Sequence, residues 1–277
     1  MPELPEVETA SRHLRSWLLG KRIVAARAAK SRVIRGQPPA RFAQLKGHKL
    51  LGLDRVGKWM LLRFDGGEGL ISHLGMTGKW MRRQKGEAAP SHLRASLELA
   101  DGHAVDYRDP RLFGRLIRGK VETLQRQASW AALGPDPLPG IDTARLHATL
   151  LRTRRTLKEA LMDQRTLAGL GNIYVSESLF RAKLDPRRPG ASMMPADTAR
   201  LAGAIGDSLR AALENEDGDE PITYVEEGGE NLFLVYDHAG EPCQECGTPI
   251  ERIVQGGRST YFCPHCQPDW RKAARRR

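Results

Sequence analysis

The sequence predicts an α+β protein in which strands and helices occupy different stretches of the chain. Short runs of β-type residues, separated by Gly, Pro and Asp, fill residues 23–121. Beyond residue 140 apolar side chains recur at helical spacing, and all four cysteines lie between positions 243 and 266. At 277 residues the chain is long enough for two domains with cores of their own, with one large domain as the alternative.

The first predicted element is a helix over residues 2–19, which begin PELPEVET. Pro2 and Pro5 fall in or just before its first turn, where a missing N–H costs little, and Gly20 suits the C-terminal cap. A rigid, acidic start is unexpected for a frayed terminus, which makes this end a candidate functional segment. The apolar residues that define the buried face of the helix are Leu4, Val7, Leu14 and Leu18.

The next stretch predicts an antiparallel sandwich or barrel. Its strand-like runs are KLLGLDRVGKWMLLRF, GLISHLGM, LRASLELADGHAVDY and GRLIRG. LGPDPLPG at 133–140 is the best candidate for a linker, because Gly and Pro interrupt both helices and strands. Helical segments follow, the last of them starting at Pro195 or Asp197: DTARLHATLLRTRRTLKEALM, NIYVSESLFRAKL and ADTARLAGAIGDSLRAAL.

The charge of the chain indicates a polyanionic partner. Forty-four Lys and Arg against 33 Asp and Glu give a net charge of +11, which favours nucleic acid over a basic protein without such a partner. No run approaches the roughly 20 apolar residues of a membrane span, and the start lacks the features of a signal peptide. We therefore expect a cytoplasmic protein without a membrane partner. The basic tail at 271–277 suits a weak phosphate-attracting arm.

The cysteine spacing is the strongest local signal for a metal site. Two CxxC pairs, Cys243 with Cys246 and Cys263 with Cys266, suit tetrahedral Zn²⁺, and four thiolates leave no open position for water, so the ion is structural. The segment between the pairs, IERIVQGGRSTYFC, predicts a hairpin with a Gly-Gly turn. Two disulfide or redox pairs are the alternative. Arg258, beside the hairpin tip, could bind a phosphate, although an exposed turn arginine is more often only solvated.

A second signal is LAGLGNIYVSESLF, which follows the predicted helix RRTLKEALMDQ. Gly169 and Gly171 permit tight turns, and Asn172 is predicted to N-cap the next helix, whose N-terminus could bind a DNA phosphate. An ordinary glycine-containing helical hairpin is the alternative interpretation.

The start of the chain could also supply a nucleophile. If Met1 is removed, Pro2 becomes a secondary amine, and an α-amine has a pKa of about 8, so part of it is unprotonated at neutral pH. Such an amine suits attack on a sugar C1′, with Glu3 as proton donor or acceptor. Glu6 could orient the same site or balance the helix dipole. The alternative is that Pro2, Glu3 and Glu6 only start a helix well.

Bulky and basic residues in the strand-rich part extend this pattern. VGKWMLL predicts Lys58 in a strand, SHLGMTG predicts His73 and Met76 near a turn, and DPRLFG predicts Arg111 and Phe113 on a loop. Each also has a purely structural interpretation: a solvated lysine, a core methionine, a packed phenylalanine. Together, a thioether, a guanidinium group and an aromatic ring could fill the gap that an extruded nucleotide leaves in duplex DNA.

These motifs, in this order, resemble those of the formamidopyrimidine-DNA glycosylase/endonuclease VIII family along nearly the whole chain. The motifs that carry the resemblance are PELPEVE, VGKWMLL, HLGMTG, DPRLFG, LGPDPL, TLKEALMDQ, LAGLGNIYVSESLF, GEPCQECGTPI and RSTYFCPHC. The family resemblance implies a bifunctional DNA glycosylase and abasic-site lyase that acts on damaged double-stranded DNA as a monomer, with one structural Zn²⁺ and no organic cofactor.

The resemblance also implies an organisation. A helix and β-sandwich would occupy residues 1–132 and a linker 133–140, followed by a helix–two-turns–helix domain at 141–236, a zinc finger at 237–270 and the tail at 271–277.

Roles for individual residues follow from the same resemblance. Pro2 would be the Schiff-base nucleophile and Glu3 the general acid and base, with Lys58 assisting β- and δ-elimination and Glu6 in support.

Asn172 and Arg258 would clamp phosphates, and Arg111 would face the orphaned base within an inserted wedge. The implied DNA contacts are His73, Met76, His92, Arg111, Phe113, Lys158, Asn172 and Arg258. The implied zinc ligands are Cys243, Cys246, Cys263 and Cys266.

The sequence departs from the family pattern in two places. Enzymes specialised for 8-oxoguanine close a longer loop with Gly-Tyr-Phe over the lesion, whereas YVEEGGENLFLVY at 224–236 is shorter and lacks that triplet. Leu112 stands where an arginine is common. We therefore expect formamidopyrimidines, or oxidised pyrimidines as in the endonuclease VIII group, to be preferred over 8-oxoguanine.

A non-catalytic zinc-ribbon protein that binds nucleic acid is the competing hypothesis from another class. Composition and CxxC pairs fit it equally well, but a pure binding protein needs no amine beside a carboxylate at Pro2 and Glu3. A zinc hydrolase is excluded because all four candidate ligands are thiolates.

Overall fold

The chain forms two compact units, and the sequence passes from the first to the second between Ala132 and Leu133. The structure, a computed structural model, describes residues 2–215 and 231–271. The first unit joins one long helix to two antiparallel sheets, and the second is helical with one hairpin, so the predicted α+β class is confirmed. Among the described residues no helix combines the length and apolar character needed to cross a membrane.

The first unit is a sandwich of two four-stranded antiparallel sheets, not a barrel. One sheet has the order β2-β3-β4-β8 and the other β1-β6-β7-β5. Side chains of both sheets and of helix α1 form one apolar core. The elements of this unit are α1 (Leu4–Leu18), β1 (Ile23–Ala28), α2 (Pro39–Ala43), β2 (Leu50–Val56), β3 (Trp59–Phe64), β4 (Glu68–His73), β5 (Lys79–Arg83), β6 (Leu93–Leu99), β7 (Ala104–Arg108), β8 (Arg115–Lys120), α3 (Val121–Gln125) and α4 (Ala128–Ala131).

Helix α1 is shorter at both ends than the predicted 2–19. Glu3 is its N-cap with extended backbone, and its capping box with Glu6 supplies partners for the first N–H groups. Pro2 therefore precedes the helix. At the other end Leu19 is the cap residue, and Gly20 leaves the helix with φ of 75° while its N–H donates to Leu50 O at 2.9 Å.

The second unit contains four helices and one hairpin among its described residues, and helix α8 begins at the first of the two predicted positions. The segment 133–140, a candidate linker in the sequence, is held on this unit: Gly134 N donates to Gln164 O at 2.8 Å, and Ala168 N donates to Pro135 O at 2.9 Å. The elements are α5 (Thr143–Leu151), α6 (Leu157–Met162), α7 (Asn172–Arg181), α8 (Pro195–Asn215), β9 (Glu251–Gln255) and β10 (Arg258–Phe262).

The β9–β10 hairpin has the predicted two-residue turn. Gly256 and Gly257 have φ of 55° and 74°, a left-handed conformation that residues with a side chain rarely adopt. Gln255 and Arg258 form the closing pair of the hairpin.

Candidate nucleic-acid interface and metal centre

The start of α1 buries the candidate nucleophile position and both nearby carboxylates. Pro2 is buried, Glu3 is fully buried and Glu6 is 7 % exposed. The Glu3 N–H donates to Glu6 Oε2 at 2.7 Å. Glu6 thus holds the backbone of the residue that follows Pro2.

An ion pair that sequence reasoning missed links this segment to Lys58. Arg55 Nε donates to Glu8 Oε2 at 2.7 Å, and the two side chains are only 5 % and 13 % exposed. Arg55 Nη1 also donates to Gly57 O at 3.1 Å. One guanidinium group therefore fixes the turn that carries Lys58 relative to α1. The third carboxylate of PELPEVE was the only sequence signal for this pair.

Lys58 lies in a turn, so its predicted strand position was wrong. Val56 and Trp59 pair across the β2–β3 hairpin, which leaves Gly57 and Lys58 as its two-residue loop. Gly57 has φ of 56°, as the first loop residue of a tight hairpin turn requires. A turn position places the lysine at the end of the sheet rather than on its face.

His73 ends β4 next to two cationic residues. Its ring centroid lies 4.5 Å from that of Trp59, and Arg115 is its cross-strand partner on β8. Gly75 N donates to His73 Nδ1 at 3.0 Å. Burial, together with the charges of Lys58 and Arg115, lowers the pKa of His73 to about 3. The ring is therefore neutral at pH 7, and because Nδ1 accepts, Nε2 carries the proton and can donate to a phosphate.

His73 should make folding stability depend on pH. The unfolded chain protonates at a pKa of about 6.5 and the folded chain only near 3, so this stability is complete above about pH 6.5 and is lost as pH falls. His73→Asn keeps an acceptor for Gly75 N but does not titrate. Between about pH 7 and pH 5 the wild type should lose about 2 kcal/mol more free energy of unfolding than His73→Asn in urea titrations. Equal losses would contradict a ring that stays neutral in the folded chain.

The structure brings together the two loops that carry Met76, Arg111 and Phe113, which we call the wedge residues. A Cβ built on Gly75 would lie 2.5 Å from Phe113 C, so the two loop backbones are in direct contact. Phe113 is 46 % exposed, and the Arg111 guanidinium lies 5.2 Å from its ring centroid. Met76 is half-buried. His92 is exposed in a left-handed turn with φ of 58°.

In the second unit Asn172 is the first residue of α7, and Gly171 is the N-cap, which corrects the predicted cap position. The loop before it is held by the Gln164 side chain: Nε2 donates to Leu170 O at 2.8 Å, and Oε1 accepts from Gly169 N at 2.9 Å. Asn172 Oδ1 is buried and has no hydrogen-bond partner among the described residues. A buried acceptor without a partner costs folding free energy.

Lys158 does not match its predicted position as a DNA contact. It is fully buried, and its Nζ donates to Asn172 O at 2.7 Å and to Ser176 Oγ at 2.6 Å. Because a buried ammonium group needs such partners, the sequence pattern could not separate it from a surface lysine. In this structure Lys158 supports the start of α7.

Arg258 is exposed at the start of β10, beside the hairpin tip. The tip lies against α6, since a Cβ on Gly256 would be 3.3 Å from Glu159 Oε1. Gln255 Nε2 donates to Pro186 O at 3.3 Å. The start of β10 is thus held against the helix that also carries Lys158.

The four cysteines form a site with the dimensions of tetrahedral zinc. Their Sγ atoms all lie within 4.8 Å of one another. Zn–S bonds of about 2.3 Å place tetrahedral sulfurs about 3.8 Å apart. The Cys243–Cys266 and Cys246–Cys263 Sγ distances are 3.9 Å and 3.5 Å. The residues present therefore fit one structural Zn²⁺.

Glu177 on α7 is a buried carboxylate that sequence reasoning missed. Oε2 accepts from Leu234 N at 2.9 Å, and Oε1 accepts from Val235 N and Tyr236 N at 3.0 Å each. It anchors the residues that lead into the zinc site. A single charge within the apolar run NIYVSESLF was the available signal.

Three family profiles match the chain in order. They are the formamidopyrimidine-DNA glycosylase N-terminal domain at residues 1–116, the H2TH domain of the same glycosylase at 133–222, and the zinc finger found in FPG and IleRS at 240–268.

Relatives match over almost the whole chain. The formamidopyrimidine-DNA glycosylases of Geobacillus kaustophilus and Methylococcus capsulatus are each 39% identical, over 96% of this chain and all of theirs. The crystal structure of the MutM (Fpg) protein from Thermus thermophilus matches with a TM-score of 0.82 at 36% identity, covering 97% of this chain and 99% of that one.

A solved complex is also similar. The Lactococcus lactis Fpg bound to DNA with an abasic site matches with a TM-score of 0.86 at 29% identity, covering 96% of this chain and all of that one. The profiles, the identity and the common fold show that this chain belongs to the formamidopyrimidine-DNA glycosylase family.

Proposed function

We propose that this chain is a base-excision repair enzyme that removes oxidised or ring-opened bases from duplex DNA and then cleaves the abasic site. The observation that supports it most is the start of the chain: Pro2 and Glu3 are buried at the head of α1, and Glu8 with Arg55 ties this segment to the Lys58 turn. A protein that only binds DNA needs no such arrangement.

The chemistry follows from a free Pro2 amine. Its nitrogen attacks C1′ of the damaged nucleotide, and the base leaves with a proton that Glu3 can supply. The C1′–O4′ bond of the sugar then breaks with a proton going to O4′, which opens the ring and leaves an iminium between C1′ and the Pro2 nitrogen. This iminium acidifies the C2′ hydrogens, so loss of one expels the 3′ phosphate, and a second elimination expels the 5′ phosphate. The Lys58 ammonium group assists these eliminations by stabilising the departing phosphates.

The second unit would hold the DNA backbone. The start of α7 with Asn172, and Arg258 on the hairpin, offer a polar side chain and a guanidinium group to phosphates. Lys158 contributes by fixing Asn172, not by direct contact. We propose that the protein acts on DNA as a monomer.

The substrate preference is the finer part of the proposal. The segment expected to cap the flipped base lies largely at 224–230, outside the described residues. Its described end is an Asn231 turn whose side chain accepts from Phe233 N at 3.1 Å and donates to Tyr236 O at 3.1 Å. Relatives have been solved with DNA that contains carbocyclic 8-oxo-G and FAPY-dG. The shorter, acidic connection of this chain, with Glu226, Glu227 and Glu230, supports a preference for lesions other than 8-oxoguanine.

Single-turnover rates on matched duplexes test this proposal. We expect formamidopyrimidine or oxidised pyrimidine lesions to be excised about tenfold faster than 8-oxoguanine opposite cytosine, because a missing partner for one buried base edge costs roughly 1–3 kcal/mol. Abasic duplex should be cleaved fast, since it needs no base recognition. Fastest excision of 8-oxoguanine would contradict the preference while leaving the glycosylase assignment intact.

A further inference from the structure

One fully buried carboxylate, Asp109, joins three separate segments of the first unit. Its Oδ1 accepts from Thr77 Oγ1 at 2.7 Å and from Arg111 N at 3.2 Å, and its Oδ2 accepts from Gly114 N at 2.8 Å. Through its main chain, Asp109 N donates to His92 O at 3.1 Å, and Asp109 O accepts from Arg94 Nε at 2.9 Å.

Each of these segments carries a candidate DNA contact. Thr77 follows Met76 directly, Arg111 and Gly114 bracket Phe113, and His92 is itself a candidate. Asp109 is therefore hydrogen-bonded to Arg111 and His92, and to the residues next to Met76 and Phe113.

Both wedge loops also pack directly against the Tyr107 hydroxyl. A Cβ on Gly114 would lie 1.9 Å from Tyr107 Oη, and one on Gly78 would lie 2.0 Å from the same atom. Tyr107 is fully buried, and its hydroxyl donates to His73 O at 3.3 Å. Leu112, with φ of 60°, packs its side chain on the core. Both loops thus pack on buried side chains, and the Asp109 carboxylate connects them by hydrogen bonds.

We propose that Asp109 is a positioning residue that holds Met76, Arg111 and Phe113 as one preformed wedge. The inference rests on the proposed function, because it assigns the wedge to the step in which a nucleotide leaves the duplex. Inserting side chains between bases costs free energy. If the loop backbone moves under that load, the inserted side chains cannot keep the space left by the extruded nucleotide open. Loops ordered before binding avoid the entropy cost of ordering them on DNA.

Asp109→Asn tests the hydrogen bonds of the Asp109 carboxylate with little change in the shape of the side chain. A carboxylate accepts on both oxygens, whereas an amide has one NH₂ that can only donate. In one orientation that NH₂ faces Gly114 N–H, and in the other it faces Arg111 N–H. The first orientation leaves Gly114 N–H without its acceptor, and the second leaves Arg111 N–H with only its contact to Thr77 Oγ1 at 3.3 Å. Either orientation therefore removes a hydrogen bond between residue 109 and the loop backbone.

Asp106→Asn is the matched control. Asp106 is equally buried on the adjoining strand β7, but its partners are Ser96 Oγ and Arg83 Nε, which belong to neither wedge loop. Thr77→Val is a second test variant, because it removes the hydroxyl that donates to Asp109 without introducing a new donor.

The experiment compares cleavage of an abasic site in duplex and in single-stranded DNA at saturating full-length enzyme. Single strands have no opposite base and no gap to fill, so Asp109→Asn should cleave them at the wild-type rate. On duplex with the abasic site its single-turnover rate should fall about tenfold or more. The fluorescence rise of 2-aminopurine opposite an abasic analogue should fall with it, and Asp106→Asn should stay within about threefold of wild type on both substrates.

Two outcomes would overturn the inference. One is an Asp109→Asn variant that cleaves duplex at the wild-type rate. The other is a variant that loses activity on single strands and duplex in equal proportion, which is the pattern of simple destabilisation. A wild-type protein that cleaves neither substrate would instead refute the proposed function.

Discussion

Protein that retains its initiator methionine should form no covalent complex with abasic DNA in the presence of borohydride, whereas protein that begins at Pro2 should be trapped. The physical reason is that Met1 converts the proline nitrogen to an amide, which has no basic lone pair for attack on C1′. Mass spectrometry gives the state of the N-terminus, and denaturing gels measure the trapped fraction. The effect expected is complete loss of both trapping and strand cleavage.

Pro2→Gly provides the graded control for this result. Glycine leaves a primary α-amine with a pKa of about 8, so trapping should weaken without disappearing. The Glu3–Glu6 contact and the Glu8–Arg55 pair do not involve the proline ring, so the variant should fold. Undiminished trapping with Met1 retained would refute the nucleophile. No trapping by any variant, with duplex still bound, would favour a non-catalytic zinc-ribbon protein.

Loss of one zinc ligand should have the second largest effect. Cys263→Ser leaves three thiolates, and structural zinc contributes about 10–16 kcal/mol to the folding of isolated fingers. Cys243 and Cys263 also belong to the small core that Phe180, Ile250 and Tyr261 complete. We expect zinc content to fall from one per chain to none, with loss of the hairpin fold and of most duplex affinity, measured by metal analysis and DNA titration.

Arg258→Ala separates the loss of the fold from the loss of a phosphate contact. This variant should keep one zinc while its duplex affinity falls roughly tenfold to a hundredfold, the range for a hydrogen bond to a charged group. The slope of log affinity against log salt should become shallower by about one. Arg252→Ala removes an equal charge from the same hairpin, where Arg252 Nε donates to Ser259 Oγ, and should change the salt slope less. Equal slopes for Arg258→Ala and wild type would mean that the hairpin holds no phosphate.

The local sequence was enough to predict the structural features that depend only on neighbouring residues. The Gly-Gly turn of β9–β10 needs two left-handed residues, and adjacent glycines indicate it. The two CxxC pairs indicate the metal site because each pair must converge on one ion. Alternating short runs predicted antiparallel strands, but sandwich and barrel remained open, because strand order depends on pairings between distant segments.

Only the three-dimensional packing shows which charged side chains are buried and which segments of the chain they connect. Arg55 and Glu8 are 47 residues apart, and Glu177 accepts from Val235 across 58 residues, so no local pattern connects them. The family resemblance implied Lys158 as a DNA contact, and the sequence does not show that this lysine is buried. In the sequence Asp109 is only the first residue of a loop, whereas in the fold its carboxylate accepts from Thr77 and Gly114. A buried charge needs partners, and folding, not sequence distance, brings those partners to it.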